Sequence, residues 1–273
     1  MRYDIPKGEM VMETIAAKHR RWANTAAFAL TVAVNGLANA VELFGVKTQD
    51  VSQMYENLFT PAPATFAIWG VIYALLAGFI LYQWNALGLG GVRSLPAAAR
   101  VEWWFTGNCL LNALWLLCWH ARLLGLCVAL MAGILLTLIV LTERVATFSQ
   151  GWKERWLVKA PFSIYFGWIT VATIAGIAAW LTQLRWRGWG LSDQAWTVIA
   201  LLLGLAIALV TAWRRRDALY ALAVAWGCGG ICWRHVSTTG YGGAYPAVVI
   251  VSAAATVVLA ALGVWLLIRE YRA

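Results

Sequence analysis

The feature that most constrains this chain is a series of uninterrupted apolar runs, each about 20 residues long, the length an α-helix needs to cross the hydrocarbon core of a bilayer. Eight such runs can be marked, at 22–45, 64–84, 101–119, 123–145, 158–184, 195–213, 218–235 and 245–268. Transmembrane strands run to roughly ten residues and alternate in polarity, so a barrel does not fit. Apolar residues make up 62% of the chain and charged residues 12%, against about 25% charged in a soluble domain. The expected fold class is all-α, a polytopic membrane helix bundle of about eight transmembrane helices, with lipid as its natural solvent.

The net charge of +9 raises the question of a nucleic-acid partner. Its placement argues against one, because the basic residues sit in short clusters between apolar runs, where they set topology and face anionic headgroups. Of the 21 Lys and Arg, 16 fall at the N-terminus, at the second, fourth and sixth connections and at the C-terminus. Both termini are therefore expected on the cytoplasmic side, and an even number of spans agrees. The expected location is integral to the membrane, the bacterial inner (cytoplasmic) one, with membrane lipids as surroundings. Met1 to Arg21 lacks a short apolar core ending in a cleavage site, so no cleavable signal peptide is expected. All five cysteines (Cys109, Cys118, Cys127, Cys228 and Cys232) lie inside apolar runs without metal-ligand spacing and read as small packing residues.

Tryptophan is the most unusual feature of the composition, with 18 residues. Trp22, Trp103, Trp104, Trp119, Trp186, Trp189, Trp196, Trp213 and Trp265 sit at span ends, where an interfacial belt accounts for them. Trp69, Trp115, Trp168 and Trp226 lie deeper. On the second run Phe66, Trp69 and Tyr73 share a helix face, after a stretch stiffened by Pro61 and Pro63. On the third, Asn108, Asn112, Trp115 and Trp119 recur at spacings of four, three and four. On the fifth, Tyr165, Trp168 and Ala172 share a face, with Thr173 beside them. The first run adds Asn35, Asn39 and Glu42, the last near enough to the outer end to reach water. Such stripes serve equally as packing surfaces with amides joining helices or, if they converge, as walls of an apolar pocket with a few polar handles. His120 and His235 stand near span ends, where hydration or hydrogen bonding is the commoner role than metal ligation. Gly227, Gly229 and Gly230 interrupt the seventh run and suit close helix packing.

Three of these segments resemble a known family. The Thr60-Pro61, Phe66, Trp69 and Tyr73 block, the Leu111-Asn112-Ala113-Leu114-Trp115 segment and the Tyr165, Trp168, Ala172-Thr173 set are similar to the tryptophan-rich sensory protein (TspO/MBR) family. That family includes the mitochondrial translocator protein, also called the peripheral benzodiazepine receptor. The resemblance covers residues 22–184 and implies a TspO-like five-helix unit there, preceded by a cytoplasmic segment (1–21) and followed by a three-helix extension (185–273). It also implies binding of a tetrapyrrole such as porphyrin or haem, or a similar flat apolar ligand, with no cofactor required. Carried over by motif, the ligand-binding residues are Phe66, Trp69, Tyr73, Asn112, Trp115, Tyr165, Trp168 and Thr173. The chain departs from the family's common pattern: Pro61-Ala62-Pro63-Ala64 lacks the usual paired prolines and Trp, Ile164 stands before Tyr165, and Gly176 replaces a frequent Asn.

The function expected from this is that of a membrane receptor or sensor for such a ligand, regulating or trafficking it. A facilitator or transporter of the ligand is a second class, although the apolar runs are nearly free of the charged residues that couple transport to ions. A structural or assembly subunit of a larger membrane complex is a third, since Ala253, Ala254, Ala255, Ala260, Ala261 and Gly263 on the last run allow close packing, with a homo-oligomer as one form. An enzyme is not expected, as no nucleophile–base pair or paired carboxylates stand out.

Overall fold

Each of the eight apolar runs falls on a long helix of the computed structural model, which describes residues 7–46, 48–89, 94–146 and 151–272. In chain order the helices are α1 (Lys7–Ala40), a short α2 (Thr48–Met54), α3 (Ile68–Gln83), α4 (Ser94–His120) and α5 (Leu124–Ala146). A single turn, α6 (Trp152–Glu154), continues through a π-turn (Arg155–Lys159) into α7 (Ala160–Gln183), and α8 (Asp193–Arg215), α9 (Ala218–Val236) and α10 (Pro246–Arg272) follow.

Among the described residues five helical stretches are long and apolar enough to cross a membrane: Pro63–Gln83, Leu124–Ala146, Trp152–Gln183, Asp193–Arg215 and Pro246–Glu270. The remaining long helices are more polar. Asn24, Asn35 and Asn39 interrupt α1, Asn108, Asn112 and His120 interrupt α4, and Arg234 and His235 end α9. The protein is a helical membrane bundle.

The helix ends follow from local chemistry. Pro63 opens the 3-10 turn Pro63–Ala67 that leads into α3, where its missing N–H costs nothing. Arg122 adopts a left-handed conformation (φ 62°) between α4 and α5, which makes the tight antiparallel hairpin that the short 120–122 connection predicts. Ser192 caps α8 by accepting from the Ala195 N–H at 3.2 Å, and Asp217 caps α9 by accepting from the Tyr220 N–H at 3.1 Å.

Helix α7 is the axis of the packing, touching α3, α5, α8 and α9. Its residues 165–171 are all buried, and the mixed aromatic and β-branched surface leaves no polar face to expose. The glycines of α9 do not break it. A Cβ on Gly227 would press on Val171 at 2.9 Å, and one on Gly167 of α7 would lie 2.6 Å from the Tyr220 carbonyl oxygen. These glycines let α7 and α9 approach backbone to backbone.

Two tryptophans depart from their expected roles. Trp119, expected in the interfacial belt, is buried, whereas Trp226, expected deep, is half exposed. The cause is the same in both cases: the face of the helix decides burial, not distance along it. Trp22, Trp103, Trp104, Trp213 and Trp265 are exposed, as a belt requires. Of the Asn35, Asn39 and Glu42 stripe, Asn35 is half-buried and Glu42 exposed, while the side chain of Asn39 lies outside the described residues.

Candidate functional site

The aromatic stripes of α3, α4 and α7 converge. The Trp69 ring stacks on Tyr73 at 5.4 Å and on Trp115 at 6.5 Å between centroids. It meets Tyr165 and Trp168 edge-on at 5.6 and 6.4 Å. Trp115 in turn stacks on Trp119 at 5.6 Å, and Phe66 packs edge-on against Trp168 at 5.7 Å. Each such pair contributes roughly 0.5–1.5 kcal/mol beyond area burial, and together the rings form one contiguous wall.

Behind the wall lies a chain of buried polar groups. The Asn112 amide donates to the Tyr165 hydroxyl at 2.6 Å, and the Asn112 carbonyl oxygen accepts from Tyr73 Oη and Asn35 Nδ2, both at 3.4 Å. One amide therefore ties α4 to α1, α3 and α7. Asn108, one turn earlier, faces elsewhere and donates to Thr137 Oγ1 on α5 at 2.8 Å. The asparagine stripe thus splits between two neighbours.

In front of the wall is a cavity, walled by Phe66, Trp69, Trp115, Trp119 and Trp168. Thr60 and Pro61 of the first loop and Thr48 and Ser52 of α2 bound it on one side. Val171, Ala172, Ala175, Gly176 and Ala179 of α7 bound it on another, with Met131 of α5 between. Its volume is about 60 Å³ as room for the centres of water-sized spheres, and about 640 Å³ of non-protein space once its mouth is included. The smaller figure holds a handful of waters, so a macrocycle enters only if the walls part. None of the described lining residues is ionisable. Its polar groups are the hydroxyls of Thr48, Ser52 and Thr60 and the indoles of Trp69, Trp115, Trp119 and Trp168. Trp168 is 2% exposed, and its Nε1 is buried without a hydrogen-bond partner. An indole N–H left unpaired costs free energy, and this one belongs to a ring that lines the cavity.

Of the residues carried over by motif, Phe66, Trp69, Trp115 and Trp168 line the cavity, while Tyr73, Asn112 and Tyr165 form the polar layer behind them. Thr173 stands apart. Its hydroxyl donates to the Ile169 carbonyl at 2.7 Å, within its own helix. Trp119, on the Asn112-Trp115-Trp119 stripe but left out of the carried-over set, also lines the cavity; sequence reasoning missed the small residues Ala175, Gly176 and Ala179, which continue the Trp168-Ala172 face at helical spacing. It also missed α2, whose Thr48 carbonyl accepts from Trp119 Nε1 at 3.0 Å and whose Thr48 hydroxyl shares a 3.0 Å hydrogen bond with His120 Nε2. His235 is likewise committed, at 2.9 Å from the Leu58 carbonyl oxygen.

A family model described as TSPO-like protein matches residues 21–265. No curated protein and no solved structure matches the chain. The match extends past residue 184 and takes in α8, α9 and most of α10. The chain belongs to the TSPO-like protein family.

Proposed function

We propose that this TSPO-like membrane protein is a receptor that binds a tetrapyrrole or similarly flat apolar ligand against the Trp69, Trp115 and Trp168 wall. All eight long helices cross the membrane, both termini lie inside, and the cavity faces the outer half of the bilayer. The observation that carries this is the pairing of an aromatic, uncharged cavity with one buried and unsatisfied donor, Trp168 Nε1. Stacking and apolar burial supply affinity for a conjugated ring, and the indole N–H supplies orientation. A porphyrin suits this chemistry, its faces meeting tryptophan rings and a peripheral acceptor meeting the N–H. No residue here is assigned a bond to the ligand's metal. The polar groups at the wall are hydroxyls and indoles, which favours binding over a reaction.

Purified protein titrated with protoporphyrin IX, with tryptophan fluorescence as readout, tests this. Saturable quenching is expected in the wild type, weakened about tenfold or more in Trp69→Ala and Trp168→Ala. The same quenching in both variants, or none in the wild type, rejects the reading.

A further inference from the structure

The first outer loop supplies Thr60, Pro61 and Phe66 to the cavity, yet little within the loop itself holds it there. Its own bonds are turn contacts, such as Thr60 N to Asn57 O at 3.2 Å and Thr65 N to Ala62 O at 2.9 Å. What fixes it comes from α9 and the turn that follows, more than 160 residues later in the chain. Trp226 Nε1 donates to the Thr65 carbonyl at 2.9 Å, and the Ala62 N–H donates to the Gly230 carbonyl at 2.9 Å. His235 Nε2 lies 2.9 Å from the Leu58 carbonyl oxygen; since a carbonyl only accepts, this nitrogen carries the proton. Arg234 pairs with Glu56 at 2.9 Å, and the Tyr241 hydroxyl reaches the Asn57 carbonyl at 3.4 Å.

The fit is tight as well as bonded. A Cβ on Gly230 would overlap the Thr65 side chain, so only glycine lets the loop lie flat on α9 at this point. Three of the five contacts go to backbone carbonyls of residues 57, 58 and 65, which fixes the path of the chain whatever its side chains.

We infer that α9 is the positioning element of the cavity's outer wall: Trp226, Gly230 and His235 hold residues 58–66 against the aromatic cluster, and a ligand reaches the cavity only when these bonds open. The inference rests on the binding role proposed above. It gives the three-helix extension a task, since α10 packs along α9 and α8 along α10 to brace it. The cavity has about 60 Å³ of inner room behind its mouth, which is the reason that its walls must part before a macrocycle seats.

Hydrogen exchange of the ligand-free full-length protein in detergent tests the anchoring without any ligand. In Trp226→Phe, which removes one donor and keeps a ring, and in His235→Ala, exchange of amides in 58–66 should rise about fivefold, the loss of one hydrogen bond. Exchange in α5 should not change. His235→Gln, which keeps a donor in reach of Leu58, should return the loop toward wild-type protection. Protoporphyrin IX association, followed by stopped-flow quenching, should accelerate in the same two variants. Wild-type loop protection in Trp226→Phe, or an equal rise across all helices, overturns the inference, and if His235→Ala does not fold, Trp226→Phe decides. A wild type that binds no porphyrin rejects the receptor role instead, and leaves the exchange result to judge the anchor.

Discussion

The Asn112 side chain on α4 donates to the Tyr165 hydroxyl on α7 at 2.6 Å, and both groups are buried. This bond sets the spacing of the two helices that carry Trp115 and Trp168, so the aromatic wall is held from behind.

Asn112→Leu should strand the Tyr165 hydroxyl and lower stability by about 1–3 kcal/mol. Tyr165→Phe strands the Asn112 amide and should cost a similar amount. The double variant should lose clearly less than the sum, since it leaves neither group unpaired. Apparent melting temperatures of the four proteins in one detergent measure this coupling.

Gly167→Ala places a Cβ 2.6 Å from the Tyr220 carbonyl oxygen and 2.7 Å from Ala223 Cβ. Backbone cannot move aside as a flexible side chain does, so α7 and α9 must separate. A loss of about 1–3 kcal/mol is expected, read as a lower melting temperature.

Tyr241 lies in the turn after α9, where burial pushes its hydroxyl up to about 12, although Arg234 close by pulls it down. A group whose folded pKa is raised keeps its full contribution below the unfolded value of about 10 and loses it as pH rises through the folded value. Stability should therefore fall between about pH 10 and about 12, and Tyr241→Phe should flatten that limb. Thermal melts across this range check the sign.

Trp119 and Trp213 both stand at helix ends, yet only Trp119 lines the cavity. Trp213 is 61% exposed and stacks on Trp265 at 5.4 Å. Trp119→Phe should weaken protoporphyrin IX quenching severalfold, and Trp213→Phe should leave the affinity unchanged.

Much of this was legible in the sequence. The apolar runs located the long helices, the three-residue 120–122 connection located the hairpin, and the periodicities of α3, α4 and α7 put their aromatics on common faces. What stayed hidden was contact across the chain. Nothing local marks Trp226 as a partner of Thr65, because the bond joins an indole to a backbone carbonyl and leaves no complementary side chain to notice. Helix α2 was hidden because Thr48 to Met54 is short and polar, and draws its order from Trp119 and His120. Trp119 was misplaced because a position near a span end suits both a belt and a cavity wall, and only the facing helix decides.

The most direct measurement of the central claim is protoporphyrin IX titration of Gly176→Leu beside the wild type. Gly176 lines the cavity and a Cβ there meets nothing within 4 Å, so a leucine side chain starts into open space, and helix propensity favours it by several tenths of a kcal/mol. The variant should melt at or above the wild-type temperature and bind at least about tenfold more weakly, a change of about 1.4 kcal/mol. Unchanged affinity in a folded Gly176→Leu protein would contradict the account, because the ligand would then lie somewhere other than this cavity.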